Sequence, residues 1–213
     1  MSSLRISEIF YSLQGESTFV GLPTIFIRLT GCPLRCHYCD TEYAFTGGER
    51  MTVEQILEQI RQYRCQQICV TGGEPLAQKD CILLLTALCD AGYTVSLETS
   101  GAMAVDEVDP RVVKVLDLKT PNSGEMTRNK MGNLKHIDEK DQIKFVICNR
   151  RDYEWAKMQI DEQKLAERCT VLFSPSYQQQ DATELAEWIL EDALPVRFQT
   201  QLHKALWGEK QGV

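Results

Sequence analysis

The sequence predicts an α/β fold, namely an incomplete TIM-type barrel of about six parallel strands. Short apolar runs typical of buried strands alternate with segments of helical periodicity, and most apolar runs end in a polar turn. Such alternation implies parallel strands joined by right-handed crossovers. These units suit an incomplete barrel better than a full eight-unit barrel, and a flat doubly wound sheet is the competing arrangement.

The elements follow one another in a regular order. Predicted strands cover residues 5–11, 24–29, 67–71, 94–98, 112–118, 142–147, 170–173 and 196–199. Predicted helices cover residues 52–64, 80–90, 153–168 and 182–190. Thr52 and Gln55 have the spacing of a capping box at the start of the first helix. Residues 119–140 are polar, with few apolar anchors, which is typical of a lid or binding loop.

Length and charge narrow the classes of function. The 213 residues suit a single domain over 1–213. A formal net charge of −7 argues against a nucleic-acid or anionic-membrane surface, because either partner demands a basic footprint. No stretch approaches the roughly 18 apolar residues of a membrane span, and the first residues lack a signal-peptide pattern. We therefore expect a cytoplasmic protein that binds neither nucleic acid nor membrane.

Nine cysteines divide into two groups. In a reducing compartment, thiols stay free or bind metal. Six lie in or beside apolar strand-like or helix-like runs, where a free cysteine packs as a small hydrophobe. These six are Cys65, Cys69, Cys81, Cys89, Cys148 and Cys169. The other three follow the strand at 24–29 with the spacing C-x3-C-x2-C, and they indicate a metal site.

Cys32, Cys36 and Cys39 form this second group. Three thiolates from one loop can each bind one iron of a cuboidal cluster, and the fourth iron then stays open to the amino and carboxylate groups of a small molecule. A structural zinc site needs four ligands, and His37, lying between two of the cysteines, would have to double back. Chance burial of three cysteines is the remaining alternative.

The cysteine loop and the strand ends after it resemble the radical SAM superfamily. Gly72-Gly73-Glu74-Pro75 ends the next strand and looks like the family's G-G-E-P motif. The resemblance implies a [4Fe-4S] cluster on the three cysteines and S-adenosylmethionine (SAM) beside it, with Glu74 and the strand-end backbone receiving the SAM ammonium. The residues implied for SAM are Tyr38, Gly72, Gly73, Glu74, Gly101, Lys119 and Ser174.

A second resemblance covers essentially the whole chain. Residues 8–16 carry an E-I-F-x-x-x-Q-G-E pattern, an F-x-R strand follows at 26–28, and residues 39–41 read Cys-Asp-Thr. This combination resembles the 7-carboxy-7-deazaguanine synthases. One departure is Ser17, where glycine often follows the glutamate, and we expect it only to stiffen that turn.

The second resemblance implies a lyase in queuosine or deazapurine biosynthesis. It would contract 6-carboxy-5,6,7,8-tetrahydropterin to 7-carboxy-7-deazaguanine with release of ammonia, and it would regenerate SAM. The implied partners are this small molecule, an electron donor such as flavodoxin or ferredoxin, and a second copy in a homodimer. No side chain is expected to be catalytic beyond the cluster and SAM.

The same resemblance implies an N-terminal substrate-binding segment and a magnesium ion on Thr41. The amide of Gln14 and the carboxylate of Glu16 match the edge of an aminopyrimidinone ring, and Arg28 can fork onto the substrate carboxylate. Lys144 and Lys204 are interpreted as solvated. The residues implied for the substrate are Leu13, Gln14, Gly15, Glu16, Arg28 and Thr99.

Two other functions compete with the synthase. An activase that installs a glycyl radical on a protein partner also uses C-x3-C-x2-C, but it needs a surface for a protein substrate. A non-catalytic iron–sulfur or zinc module would leave the G-G-E-P turn at 72–75 without a role.

Overall fold

Nine strands form one sheet in the computed structural model, which describes residues 3–210 and 212–213. The strands are β1 Leu4–Leu13, β2 Pro23–Leu29, β3 Glu49–Met51, β4 Gln67–Gly72, β5 Thr94–Thr99, β6 Val113–Asp117, β7 Gln142–Ile147, β8 Thr170–Pro175 and β9 Arg197–Phe198. The helices are α1 Val53–Ile60, α2 Cys81–Asp90, α3 Arg150–Gln163, α4 Ala182–Glu191 and α5 Leu202–Trp207.

The order of the strands in space decides between the two predicted arrangements. It runs β3-β1-β2-β4-β5-β6-β7-β8-β9, and the strands from β2 through β4 to β9 are parallel to one another. A doubly wound sheet requires the order to reverse at a switch point. Here the order of the parallel strands follows the sequence, so right-handed crossovers place their helices on one face. The incomplete barrel is therefore confirmed, with seven parallel strands rather than about six.

The first strand extends the sheet in the opposite direction. β1 is antiparallel to β2 and to β3, so β1 and β2 form a hairpin. Its connection is closed by backbone hydrogen bonds from Gln14 to Leu22 and from Gly21 to Gln14, both 2.8 Å. Leu13 pairs with Pro23, so the connection at residues 14–22 lies at the amino end of β2, whereas the cysteine loop follows the carboxyl end of that strand.

Local signals in the sequence explain where the helices begin. Thr52 Oγ1 accepts a hydrogen bond from the Gln55 amide, and Gln55 Oε1 accepts one from the Thr52 amide, so the predicted capping box is confirmed. Helix α3 begins earlier than predicted, because Asn149 caps it through the Asp152 amide. Tyr153 of this helix is fully buried, and its hydroxyl donates to Asp192 at 2.7 Å.

Residues 119–140, predicted to be a lid or binding loop without regular structure, contain local structure. They form three short 3-10 turns, Pro121–Ser123, Met126–Arg128 and Met131–His136. The segment is held down by side-chain hydrogen bonds, since Asn133 is buried and its amide donates to the carbonyls of Gly101 and Met103. The segment is therefore packed against the residues that follow β5.

None of the helices found in residues 3–210 combines the length and the apolar character needed to cross a membrane.

Candidate active site

A cavity of about 690 Å³ opens where the parallel strands end. All but two of the predicted site residues line it. They are Leu13, Gln14, Gly15, Glu16, Arg28, Cys32, Cys36, Tyr38, Cys39, Thr41, Gly72, Gly73, Thr99, Lys119 and Ser174. The cavity thus extends from the three-cysteine loop, at the carboxyl end of β2, to residues 13–16, which lie at the amino end of that strand.

The cysteine loop forms one wall of the cavity. Cys32, Cys36 and Cys39 are free and half-buried. Leu34 is buried between them and anchors the loop. The Arg35 guanidinium donates to the carbonyls of Cys32 at 2.8 Å and Leu34 at 2.6 Å, so the loop is braced by its own side chain.

A second segment supports this loop from behind. The His37 amide donates to the Ser123 carbonyl at 3.1 Å, and the Arg35 amide donates to Glu125 Oε1 at 2.6 Å. The His37 ring lies 3.2 Å from the Asn122 carbonyl. The packed 3-10 segment therefore buttresses the cysteine loop, which explains why it is ordered despite its polar composition.

The loop offers three thiols to a metal or cluster. Among residues 3–210 and 212–213, no three or more histidine, cysteine, aspartate or glutamate side chains are grouped to hold one metal ion. A cuboidal cluster instead takes each thiolate on a separate iron. Burial raises the pKa of Cys36 to about 11 and also raises that of Cys32, so metal binding must displace the thiol protons.

The end of β4 lies directly against the cysteine loop. The Gly73 amide donates to the Leu29 carbonyl at 3.2 Å, and the Glu74 amide donates to the Gly31 carbonyl at 2.8 Å. A Cβ added at Gly73 would lie 2.5 Å from the Gly31 oxygen and 2.7 Å from Cys32 Cβ. Only glycine allows this approach of the two backbones.

Glu74 and Gly101 are the two predicted site residues that the cavity does not include. The Glu74 carboxylate is fully buried and accepts hydrogen bonds from the Thr99 hydroxyl, from the Ser100 amide and hydroxyl, and from the Leu76 amide. The Gly101 carbonyl accepts from the Lys130 amide. Glu74 therefore ties the turn after β4 to the end of β5, and its contact with the SAM ammonium stays a prediction.

This position of Glu74 predicts a loss of stability in a Glu74→Ala variant. The change leaves buried donors of Thr99, Ser100 and Leu76 without their acceptor, so the free energy of unfolding should fall by about 3 kcal/mol. Urea denaturation measures this, with the exposed Glu187→Ala as control. A loss below about 0.5 kcal/mol, the range of an ordinary surface substitution, would contradict the assigned role.

A buried charge cluster forms the opposite wall. Lys144 Nζ lies 2.7 Å from Glu16 Oε2, 3.5 Å from Glu98 Oε2 and 3.8 Å from Asp117 Oδ2. Only 8% of Lys144 is exposed, so its interpretation as solvated was wrong. Burial opposes ionisation of Glu16, but the charge and hydrogen bond of Lys144 outweigh it and lower the pKa of Glu16 to about 2. Burial raises the pKa of Glu98.

Two polar atoms between the cysteine loop and this cluster have no partner within the described residues. They are the Tyr38 hydroxyl and Asp117 Oδ1, and both are buried. Lys119 Nζ lies 3.0 Å from Asp117 Oδ2 and 5.5 Å from the centre of the Tyr38 ring. Buried polar atoms in proteins are almost always hydrogen-bonded, so these atoms point to a ligand with polar groups at this place.

Arg28 lies on β2 beneath the N-terminal segment. Its Nε donates to Glu8 Oε1 at 2.7 Å, and its guanidinium lies 5.9 and 5.8 Å from the rings of Phe10 and Tyr43. Within the described residues, no hydrogen bond engages its terminal nitrogens. A guanidinium bound through Nε in this way can still donate hydrogen bonds from its terminal nitrogens to an anion.

Asp40 and Thr41, which follow the last cysteine of the loop, place oxygen atoms that can bind a metal ion in the lining of the cavity. Thr41 lines the cavity, and its hydroxyl lies 3.3 Å from Asp40 Oδ1. Oxygen donors of this kind suit Mg²⁺, which also keeps water and substrate ligands.

The end of the chain completes the cavity. Gln201 Nε2 donates to Glu16 Oε1 and to Asp40 Oδ2, both at 2.9 Å. Lys204 lies 4.0 Å from the centre of the Tyr177 ring and is largely covered, so its interpretation as solvated was also wrong. Residues 208–210 and 212–213 also line the cavity.

A buried glutamine joins the substrate segment to β8. Gln199 accepts a hydrogen bond from the Ser17 amide at 2.8 Å and donates to Ser174 Oγ at 2.9 Å. Ser17 has a φ of +68°, a conformation that glycine adopts more easily. The departure at this position therefore costs strain, which the hydrogen bond to Gln199 offsets.

Comparisons with known proteins agree with this arrangement. Residues 26–122 match the model of the radical SAM superfamily. The chain is 45% identical to a 7-carboxy-7-deazaguanine synthase of Chlorobaculum tepidum over 96% of this chain and 94% of that protein. It is 39% identical to one of Koribacter versatilis, covering 99% of this chain and all of that protein. The crystal structure of QueE from Escherichia coli superposes with a TM-score of 0.78 at 25% identity, covering 94% of this chain and 95% of that one.

Proposed function

The chain belongs to the 7-carboxy-7-deazaguanine synthase family of radical SAM enzymes, and from this we propose that its cavity contracts the ring of 6-carboxy-5,6,7,8-tetrahydropterin. The products are 7-carboxy-7-deazaguanine and ammonia. The observation that carries the proposal is that one cavity places the three-cysteine loop opposite an amide, a carboxylate and a guanidinium. An activase of a glycyl-radical protein is not favoured, because these polar groups suit a small ring.

The cysteine side of the cavity suits the cluster and SAM. When bound, this pair supplies the one-electron reduction and the hydrogen abstraction that begin the rearrangement. Cys32, Cys36 and Cys39 hold the cluster, and the backbone at Gly73 leaves room beside it. The remaining residues proposed for SAM that line the cavity are Tyr38, Gly72, Lys119 and Ser174. Glu74 and Gly101 lie outside the cavity, and we propose that they support the SAM site from there.

The opposite side suits the pterin. The carboxylate of Glu16 accepts the N–H groups of the aminopyrimidinone edge, and the amide of Gln14 can pair beside it. Arg28 binds the substrate carboxylate, and Thr41 with Mg²⁺ binds substrate oxygens. Thr99, Leu13 and Gly15 complete the contact surface proposed for the ring.

We also propose the partners and location implied by the family. The loop at Cys32–Cys39 is only half-buried, which supports electron delivery by a flavodoxin or ferredoxin. The nine free cysteines support a cytoplasmic location. The single sheet supports one domain over 1–213, and the homodimer rests on the family resemblance.

Anaerobic turnover tests the proposed function. The protein is reconstituted with iron and sulfide, supplied with reductant, Mg²⁺, SAM and the carboxytetrahydropterin, and its products are followed by mass spectrometry. We expect 7-carboxy-7-deazaguanine without stoichiometric loss of SAM, and a lower rate when Mg²⁺ is omitted. Cleavage of SAM with no deazaguanine would contradict the substrate while leaving the superfamily intact.

A further inference from the structure

Lys144 is the cation shared by the two halves of the cavity. Its ammonium reaches Glu16 on the pterin side at 2.7 Å and Asp117 on the SAM side at 3.8 Å. It extends from β7, a strand whose other residues are mostly buried. The proposed function gives it no task, so its place between the two ligands requires an explanation.

The charges around Lys144 do not balance without it. Glu16, Glu98 and Asp117 contribute three carboxylates, while Lys119 is committed to Asp117 at 3.0 Å. Removal of Lys144 would leave Glu16 and Glu98 close together with no adjacent ammonium. Neighbouring buried carboxylates favour protonation of one of them.

The protonation state of Glu16 decides whether it can accept hydrogen bonds from the ring, donate them, or both. An ionised carboxylate only accepts hydrogen bonds, whereas a protonated one also donates. The aminopyrimidinone edge presents N–H donors and therefore needs an acceptor. A proton on Glu16 would place its O–H donor against the N–H donors of the ring.

The orientation of Glu16 is fixed from both sides. Lys144 Nζ bonds Oε2 at 2.7 Å, and Gln201 Nε2 bonds Oε1 at 2.9 Å. Each oxygen keeps a further lone pair for a ligand. The carboxylate plane is thus set before the ring arrives.

We propose that Lys144 is a positioning residue for pterin recognition, which keeps the Glu16 carboxylate ionised and oriented toward the N–H edge of the ring. This inference rests on the proposed function, since it assigns the pterin to the wall that contains Glu16. Lys144 acts through Glu16 and need not touch the substrate.

The test measures binding and requires neither cluster nor turnover. Fluorescence titration with 6-carboxypterin, a stable oxidised analogue, compares the wild type with Lys144→Met. We expect the variant to bind about 10- to 100-fold more weakly, as loss of a charged hydrogen bond predicts. Lys144→Arg, which keeps the charge, should recover most of the affinity.

Lys114→Met is the matched control. Lys114 is likewise buried and paired, with its ammonium 2.8 Å from Asp141, but it does not line the cavity. We expect this variant to lose stability in thermal melts and to bind the analogue within about twofold of the wild type, because separate sites act independently. If Lys144→Met does not fold, Lys144→Gln replaces it.

A double-mutant cycle with Glu16→Gln separates positioning from a merely structural role. Lys144→Met should weaken binding less than about threefold once Glu16 is already neutral, since coupled residues are not additive. Wild-type affinity in folded Lys144→Met, or additive effects in the cycle, would overturn the inference alone. A wild-type protein that fails to bind 6-carboxypterin would instead contradict the proposed function.

Discussion

Alanine at any one of Cys32, Cys36 and Cys39 is expected to abolish turnover, with a fall of at least about 1,000-fold, because each thiolate holds a separate iron and the cofactor chemistry depends on the intact cluster. Iron and acid-labile sulfide per chain, the visible absorption of the reconstituted protein and product formation measure this loss. The cluster content should fall together with the activity in each of the three variants.

Cys89→Ala provides the control for this series. Cys89 is also half-exposed, but it lies on α2 outside the cavity, so its variant should keep both iron and activity. Full iron content in a variant lacking one of the three loop cysteines would refute the assignment of that ligand.

Alanine at Gly73 is expected to have the second largest effect. The new methyl group would lie 2.5 Å from the Gly31 oxygen and 2.7 Å from Cys32 Cβ, distances that force one backbone away from the other. Displacement of the cysteine loop by even about 1 Å can cost 100-fold in rate, because the reacting groups lose alignment. Turnover and SAM affinity of the reconstituted variant measure the effect.

Gly132→Ala is the matched control for Gly73→Ala. No atom lies within 4 Å of a Cβ built at Gly132, and its φ is outside the left-handed region. The same substitution there should leave turnover unchanged. If Gly73→Ala binds SAM and turns over as the wild type does, the close approach of the two backbones is not needed by the site.

Much of the fold could be predicted because buried parallel strands are apolar on both faces. The runs at 142–147 and 67–71 needed no tertiary information to be recognised, and the observed strands agree with them closely. β3 could not be predicted, since Glu49–Met51 contains two charged residues and is a strand only because β1 pairs with it. α5 has apolar residues at helical spacing, Leu202, Ala205 and Leu206, but its six residues are too few for periodicity alone to identify a helix. Its Leu202 amide donates to the Gly15 carbonyl, a contact that only the folded chain provides.

The motif residues of the site could be predicted, but the direction of their side chains could not. The G-G-E-P turn at 72–75 correctly indicated a glycine pair beside the cysteine loop, yet Glu74 turns inward to Ser100. Lysine in a sequence is most often solvated, and nothing local shows that Lys144 points at three carboxylates from other segments of the chain. Sequence spacing does not reveal contacts between charged residues that lie far apart in the chain and come together only in the folded protein.

The hydrogen bond between Gln201 and Glu16 joins positions 185 residues apart. Closing so long a loop costs entropy that local contacts do not repay, so the pterin wall is completed late in folding. A nascent chain still lacking residues 199–213 can pair β1 with β2 and present its cysteines, but Glu16 has no amide from Gln201 to fix it. Maturation of the cluster loop and competence for the pterin are therefore separable events during synthesis, with the second delayed until the far end of the chain docks.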